Sequence, residues 1–204
     1  ELNIKIFETI YHASLTESVN LSKLDGPYSS FQGSPLSKGI FQFDMWENSS
    51  DKLSNRYDWE YLRNEIIKNG IRNSLLVAPM PTATTSQIMG NNEAFEPYTS
   101  NIYLRRTLAG EFTVTNKHLV KDLIELNIWN PEMKDKIIYH NGSIQDIAGI
   151  PEDIKALYKT AWEISQKSII NQAADRGVFI CQTQSMNLFV PSPSIKILSS
   201  MHFY

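Results

Sequence analysis

The chain has 204 residues, of which 42% are hydrophobic and 20% are charged, which is the composition of a globular domain and excludes a disordered or collagen-like chain. A net charge of −3 without any basic tract argues against a nucleic-acid partner, and no apolar run approaches the roughly 18 residues of a membrane span, so no membrane partner is expected. The single cysteine, Cys181, excludes an internal disulfide framework, and a cytoplasmic location is the expectation.

The chain opens with a predicted helix. Apolar residues recur at helical spacing from Leu2 to Val19, but no capping residue precedes them. At the other end, Ser192-Pro193 predicts the start of a helix that is still incomplete at Tyr204. We therefore expect residues 1–204 to be an excised segment of a larger protein.

A loop-rich stretch follows the first helix, and Trp46 is its expected apolar anchor. Asp58 is placed to cap a second helix, which Gly70 would end. The apolar run Ser74–Ala78, closed by Pro79, predicts a strand buried on both faces.

The second half of the chain predicts a β-hairpin and further helices. Alternation of Phe112 and Val114 with threonines indicates a half-buried strand in that hairpin. Pro151 is expected to open the longest helix, which would run to Gly177. The remaining predicted elements are hairpin strands at 101–107 and 111–115, helices at 118–126 and 132–139, and strands at 178–181 and 186–190. Strands alternating with helices place the chain in the α/β class, with too few strands to close a barrel.

The loop after the predicted strand 74–78 is the best candidate for a functional site. Two prolines, Pro79 and Pro81, end the strand, and a short helix is expected next. Hydroxyls and free amide groups at such a position form a pocket for an anion, typically phosphate. The candidate phosphate-binding residues are Thr82, Ala83, Thr84, Thr85 and Ser86.

This loop differs from the known phosphate loops. It lacks the Gly-x-x-x-x-Gly-Lys pattern, and no charged residue occurs between Arg72 and Glu93, so neutral donors alone would hold the phosphate. The alternative is that one hydroxyl is an ordinary helix cap and that the others are solvated. The pattern by itself leaves both interpretations open.

The other polar groups give weaker indications. Glu93 and Glu96 could form an acid/base pair on one helix face, or be two solvated carboxylates. Arg105-Arg106 could bind an acidic group, or lie on a solvated strand edge. The four histidines lack metal-ligand spacing, and Cys181 fits a core position better than a nucleophile. The polar residues of 182–187 could line the same cleft as the loop, or cap a turn.

Around the loop the sequence resembles the large, catalytic subunit of class I ribonucleotide reductase, in its eukaryotic-type form. The matching blocks occur in order along the whole chain. They include Trp59, Leu62, Gly70-Ile71-Arg72-Asn73, Val77-Ala78, Pro81-Thr82-Ala83-Thr84-Thr85, Gly90-Asn91-Asn92-Glu93, Glu96-Pro97-Tyr98-Thr99-Ser100-Asn101-Ile102-Tyr103, Asn141-Gly142-Ser143-Ile144-Gln145, Trp162-Glu163-Ile164-Ser165-Gln166-Lys167 and Ser199-Ser200-Met201-His202-Phe203-Tyr204.

The resemblance implies an enzyme that reduces ribonucleoside diphosphates to deoxyribonucleotides by a radical route, for DNA synthesis. It implies that residues 1–204 are the later, C-terminal part of a ten-stranded α/β barrel, helix-rich and with a hairpin. The family's proline–hydroxyl loop binds the substrate diphosphate, which carries over to Thr82, Ala83, Thr84 and Thr85, with Ser86 as a weaker addition. Family members often have Ser in place of Thr84 and Ala in place of Ser86, so the hydroxyl at position 84 is kept.

The resemblance also implies what this segment does not supply. The family's three reactive cysteines, its radical-relay tyrosines and its allosteric, ATP-binding sites belong to other parts of the subunit, so no residue here is expected to be catalytic or to bind a cofactor or metal. The full enzyme would take its radical from a metal-containing small subunit and its electrons from thioredoxin or glutaredoxin. The large subunit is expected to be a homodimer, and the segment alone is expected to be inactive.

Two other functions remain open on the sequence. The chain could be a non-catalytic phosphate-binding or structural module, whose hydroxyl loop is only a helix cap. It could also be a small phosphotransferase, although the missing Gly-Lys pair and paired magnesium-binding aspartates argue against that.

Overall fold

The structure is a computed structural model, which describes residues 1–47 and 53–204. Its residues form two compact units, Glu1–Pro81 with Ile169–Met186 and Thr82–Ser168 with Asn187–Tyr204. Its elements in chain order are α1 (Leu2–Asp25), two short 3₁₀ turns (Leu36–Lys38 and Phe43–Met45), α2 (Trp59–Asn69), α3 (Thr85–Ile88), β1 (Ile102–Thr107), β2 (Gly110–Thr115), α4 (Lys117–Glu125), α5 (Pro131–Tyr139), α6 (Glu152–Leu157), α7 (Gln166–Gly177) and α8 (Ile195–His202).

The first unit is built on α1, as its apolar spacing predicts. One face of the helix is buried through Phe7, Tyr11, Leu15 and Val19. The helix ends at Gly26, whose φ of 78° suits a glycine and whose amide donates to the Ser22 carbonyl at 2.8 Å. The core of this unit also takes in apolar residues of α2 and of the segment 178–180.

The predicted anchor of the loop after α1 is wrong, whereas the predicted start of α2 is confirmed. Trp46 is 49% exposed, whereas Phe31, Phe41 and Phe43 are the buried aromatic residues of this stretch. At α2 the Asp58 carboxylate accepts from the Tyr61 amide at 2.8 Å. Part of the predicted loop, residues 48–52, lies outside the described residues.

The predicted strand 74–78 is not a strand, because its amides are not used in a backbone ladder. The Leu76 and Val77 amides donate to the Cys181 sulfur at 3.0 and 3.2 Å, and Gln182 N donates to the Val77 carbonyl. Leu75 is half exposed and Val77 is buried, so the run is not covered on both faces.

The strands predicted at 178–181 and 186–190 are also wrong. Amides in the first run close turns, as in the bond from Phe179 N to the Arg176 carbonyl. In the second run, the Phe189 amide donates to the Gln166 side chain at 2.7 Å. Apolar runs of this length indicate burial, and Val178–Ile180 are buried, but they do not specify how the backbone amides are paired.

The hairpin prediction is confirmed. β1 and β2 pair antiparallel, from Ile102 opposite Thr115 to Thr107 opposite Gly110, and they form the one sheet found in residues 1–47 and 53–204. The expected burial is wrong at Phe112, which is half exposed. The second unit's core lies instead between Ile102 and the apolar faces of α4 and α5, which form where the sequence predicts helices.

The predicted helix from Pro151 to Gly177 is divided into α6 and α7. Between them the Glu163 carboxylate accepts from the Thr160 amide at 2.7 Å, and the Gln166 side chain donates to the Ala161 carbonyl. Side chains thus bind the backbone groups that a continuous helix would pair. The last helix, α8, begins two residues later than predicted and is capped by Ser194.

Among the residues that the structure describes, none of the helices is both long and apolar enough to cross a membrane.

Candidate phosphate-binding site

The candidate loop begins with an unusual backbone conformation at Thr82. Its φ of 54° lies in the left-handed region, which β-branched residues rarely adopt. The Thr82 carbonyl accepts from the Ser86 amide at 2.9 Å, which closes the loop into one turn leading to α3. The Thr82 hydroxyl accepts from the Ala94 amide at 3.4 Å. The loop is therefore fixed at its first residue from both the backbone and the side chain.

The rest of the loop presents donors to solvent. Ala83, Thr84 and Thr85 are all exposed. Within the described part of the chain, no hydrogen bond from their three amides is found. Hydroxyl and amide donors on consecutive residues can converge on the oxygens of one anion.

Ser86 lies differently from the other candidate residues. It is 6% exposed, its amide is already bonded to Thr82, and its hydroxyl is buried without a partner among the described residues. A buried hydroxyl without a partner costs free energy, so the Ser86 hydroxyl lowers the stability of the folded state.

A lysine contacts the segment after the loop, which the sequence did not predict. Lys117 Nζ donates to the Gly90 carbonyl at 2.6 Å, two residues after the end of α3. A positive charge is favourable beside the carbonyl groups that follow a helix. Its 27-residue separation from Gly90 gives no local sequence signal.

The two glutamates that follow do not form an acid/base pair, and they are not two solvated groups either. Glu93 is exposed, whereas Glu96 is buried. The Glu96 carboxylate accepts from the Asn187 amide at 2.9 Å, so it holds a distant segment of the same unit. The residues lie outside any helix, which is why the predicted shared helix face is absent.

The polar residues 182–185 line a groove in the first unit. It has a volume of about 470 Å³, and its other wall is Ala78–Pro81, the proline segment that leads into the loop. The Gln184 side chain accepts from Arg176 Nε at 2.8 Å and donates to the Ala173 carbonyl at 2.9 Å. The cluster is thus ordered by contacts that its sequence pattern does not reveal.

Two further candidate groups, Cys181 and Arg106, lie in ordinary structural positions. Cys181 is half-buried and packs against the core of the first unit. Arg106 forms an exposed ion pair with Glu111 at 2.6 Å. No group of three or more histidine, cysteine or acidic residues that could hold a metal occurs in the part of the chain that the structure describes.

Comparison with known proteins identifies the family. All of residues 1–204 match the family model described as ribonucleotide reductase, barrel domain. The chain is 60% identical over its whole length to the ribonucleoside-diphosphate reductase large subunits of Plasmodium falciparum (isolate Dd2) and Dictyostelium discoideum, and 58% identical to that of Caenorhabditis elegans. It spans 25%, 23% and 26% of those three proteins, or about a quarter of each.

A solved structure supports the same assignment. The chain superposes on the Actinobacillus ureae class Id ribonucleotide reductase alpha subunit with a TM-score of 0.71 and 27% identity, over 98% of this chain and 30% of that one. The expected fold class, a helix-rich part of this α/β barrel with a hairpin, is confirmed. The non-catalytic binding or structural module is not favoured. The chain belongs to the ribonucleotide reductase barrel-domain family.

Proposed function

We propose that this chain is the part of a ribonucleoside-diphosphate reductase large subunit that binds the diphosphate of the substrate. The whole subunit would reduce ribonucleoside diphosphates to deoxyribonucleoside diphosphates by a radical route, under allosteric control by nucleotides such as ATP. Support comes from the large subunits named above, which match over the full length of this chain.

The same proposal extends to partners and location. A metal-containing small subunit would supply the radical, thioredoxin or glutaredoxin would supply electrons, and the large subunit would act as a homodimer. A cytoplasmic location agrees with a chain whose one cysteine can form no internal disulfide.

The observation that carries the binding role is the exposed, uncharged donor set of the loop. Thr84 and Thr85 present hydroxyls to solvent, and the amides of Ala83, Thr84 and Thr85 are available beside them. We assign the diphosphate contacts to these groups. Thr82 fixes the loop through its bond from Ala94, and Ser86, which is buried and whose amide donates to the Thr82 carbonyl, is the weaker member of the set.

The role of this segment in the reaction is positioning. A diphosphate held at the loop fixes the direction in which the ribose extends, and fixing a reactant in this way can supply a large part of the rate enhancement. None of the described residues is assigned as an acid, a base or a radical carrier.

The test is a double substitution, Thr84→Val with Thr85→Val, in the complete large subunit. Valine keeps the shape of threonine but removes the hydroxyl, and both side chains are exposed, so the fold should persist. Hydrogen bonds to charged groups are worth about 1.5–3 kcal/mol each, so we expect kcat/KM for a ribonucleoside diphosphate to fall by about tenfold or more. Steady-state reduction assays with the small subunit measure this.

The control is Thr99→Val, which removes an exposed hydroxyl of the same unit outside the loop. It should leave kcat/KM unchanged. Kinetics of the double variant equal to those of the control would exclude the hydroxyls of Thr84 and Thr85 from diphosphate binding.

A further inference from the structure

A second pocket lies within the Thr82–Ser168 part of the second unit, and the proposed function does not use it. Its volume is about 390 Å³, in the range of roughly 300–1,000 Å³ typical of small-molecule sites. Most of its surface is apolar and comes from proline, leucine and two tyrosines. The lining residues are Pro97, Tyr98, Asn101, Asn116, His118, Leu157, Tyr158 and Lys159.

The base of the pocket is a buried pair of asparagines. Asn101 and Asn116 are 2% and 5% exposed, and Asn116 Nδ2 donates to Asn101 Oδ1 at 2.9 Å. Asn101 Nδ2 donates in turn to the carbonyls of Gly142 and Tyr158, both at 3.0 Å. The Tyr98 carbonyl accepts from the Ala161 amide at 2.9 Å, which fixes a second wall. The pocket is therefore preformed by a buried polar network.

One hydrogen-bond donor of this network, on the Asn116 side chain, has no acceptor among the described residues. Both oxygen lone pairs of Asn116 are used, because Oδ1 accepts from the amides of His118 and Leu119 at the start of α4. The Asn116 NH₂ group has two hydrogens, and the described residues provide one acceptor, Asn101 Oδ1. The second hydrogen belongs to a buried side chain that lines the pocket.

Two basic side chains complete the lining. In the described part of the chain, neither His118 nor Lys159 forms an ion pair. None of the lining residues is acidic. On α4, the Asp122 carboxylate accepts from the Tyr158 hydroxyl at 2.6 Å. Burial, together with this hydrogen bond, raises the pKa of Tyr158 to about 12, so the hydroxyl stays protonated at neutral pH.

We propose that this pocket binds a small anion that carries an apolar, ring-sized body. The anionic group would meet the spare Asn116 donor, His118 and Lys159, and the body would lie on Pro97, Tyr98 and Leu157. The spare amide donor and the Lys159 ammonium, with no acid among the lining residues, favour a negatively charged group. The apolar walls favour a ligand with an apolar body over inorganic phosphate.

The test compares three probes on the complete large subunit: 1-naphthyl phosphate, the neutral 1-naphthol, and inorganic phosphate. Isothermal titration calorimetry or saturation-transfer NMR gives their affinities. We expect 1-naphthyl phosphate to bind about tenfold more tightly than either of the others, because only it has both the charge and the ring. Equal binding of 1-naphthol, or no binding of 1-naphthyl phosphate, would overturn the proposal.

Variants locate the binding in the pocket. Lys159→Gln combined with His118→Gln should weaken 1-naphthyl phosphate about tenfold. The matched control is Lys155→Gln, one turn before Lys159, whose ammonium pairs with Glu152 at 2.9 Å and does not line the pocket. Lys155→Gln should bind 1-naphthyl phosphate as tightly as the unaltered protein does. If Lys155→Gln weakened binding as much as the double variant, the proposal would be contradicted.

A competition experiment separates this pocket from the diphosphate loop. A saturating ribonucleoside diphosphate should not displace 1-naphthyl phosphate, and Thr84→Val with Thr85→Val should not weaken it. Displacement together with loss in that loop variant would mean that the probe occupies the loop, and would overturn the pocket proposal. Failure of the loop variants to alter kinetics would count against the proposed function and leave the pocket result intact.

Discussion

Glu8 shows how a single buried charge is stabilised in the first unit. Its carboxylate is fully buried on α1, where it accepts from the Ser54 amide at 3.0 Å and from Arg56 Nη2 at 3.2 Å. Burial alone raises the pKa of this carboxyl group, but the hydrogen bonds from Ser54 and Arg56 outweigh burial and leave the pKa below its usual value. The charged form is therefore the one that the fold favours.

We expect Glu8→Gln to lower the free energy of unfolding by about 1–3 kcal/mol at pH 7, since it leaves Arg56 without its buried partner. A depressed folded-state pKa stabilises the fold above the unfolded-state value, and this contribution is lost as the pH falls through the folded-state value. The difference between the two proteins should therefore shrink below about pH 4.5. Urea unfolding at a series of pH values measures it.

Glu17→Gln is the matched control, because Glu17 lies on the exposed side of the same helix. It should change the free energy of unfolding by less than about 0.5 kcal/mol at any of these pH values. A pH-independent difference for Glu8→Gln would show that the lost charge is not its cause.

The sequence predicts single residues well where their partners are close in the chain. Asp58 is identified as a cap because the amide that it accepts from is three residues away. Glu8 and Glu96 look like ordinary surface acids, since their partners lie 46 and 91 residues away. Distance along the chain, rather than residue type, limited the prediction of buried carboxylates.

Two helices of the second unit, α4 and α5, are each capped by an asparagine. Asn116 caps α4 and also donates to Asn101, whereas Asn130 caps α5 through the Met133 amide at 2.8 Å. Losing an asparagine cap costs about 0.5–2 kcal/mol. Asn116→Ala also leaves the buried Asn101 oxygen without that donor, which adds about 1–3 kcal/mol.

We therefore expect Asn116→Ala to destabilise the protein by more than Asn130→Ala, by about 1 kcal/mol or more. Chemical unfolding of both variants, followed by circular dichroism, measures the difference. Equal losses would mean that the Asn101–Asn116 bond contributes nothing beyond capping.

The sequence predicts helices and strands correctly where turn and cap residues lie beside them. The predictions are wrong where side chains bind the backbone groups that a regular helix or strand would pair. The hairpin and α2 follow from turn and cap residues that sit beside them. The break between α6 and α7 depends on Glu163 and Gln166, which fit a helical pattern but bind backbone groups of residues 160 and 161. At 74–78, the Cys181 sulfur accepts amides that a strand would pair, and a thiol 104 residues away leaves no trace in the local pattern.

For the molecule as a whole, the family match favours one of the two interpretations of the loop, the anion site. Residue pattern alone left Thr82–Ser86 open between an anion site and a helix cap. The structure shows exposed donors at Thr84 and Thr85 and no side-chain hydrogen bond from Thr84 capping α3. The substrate contact itself stays a prediction until the loop variants are assayed.

The 204-residue chain by itself presents apolar side chains of α8 to solvent. None of the residues of α8 is buried. Ile195, the first residue of the helix, and Phe203, the residue after its last, are almost fully exposed. Exposed apolar patches favour association, so we expect light scattering at micromolar concentration to give a mass above the 23.3 kDa of one chain. Ile195→Glu with Phe203→Glu should lower that mass, because the two charges repel another apolar surface.

Lys196→Glu tests whether charge alone matters, since it alters the same helix without removing apolar surface. It should leave the mass of the associated chain unchanged. A mass of 23.3 kDa for the unaltered chain across the concentration range would show that the apolar side chains of α8 do not drive association. Equal effects of Lys196→Glu and the double variant would assign the association to net charge, because apolar area would then be irrelevant.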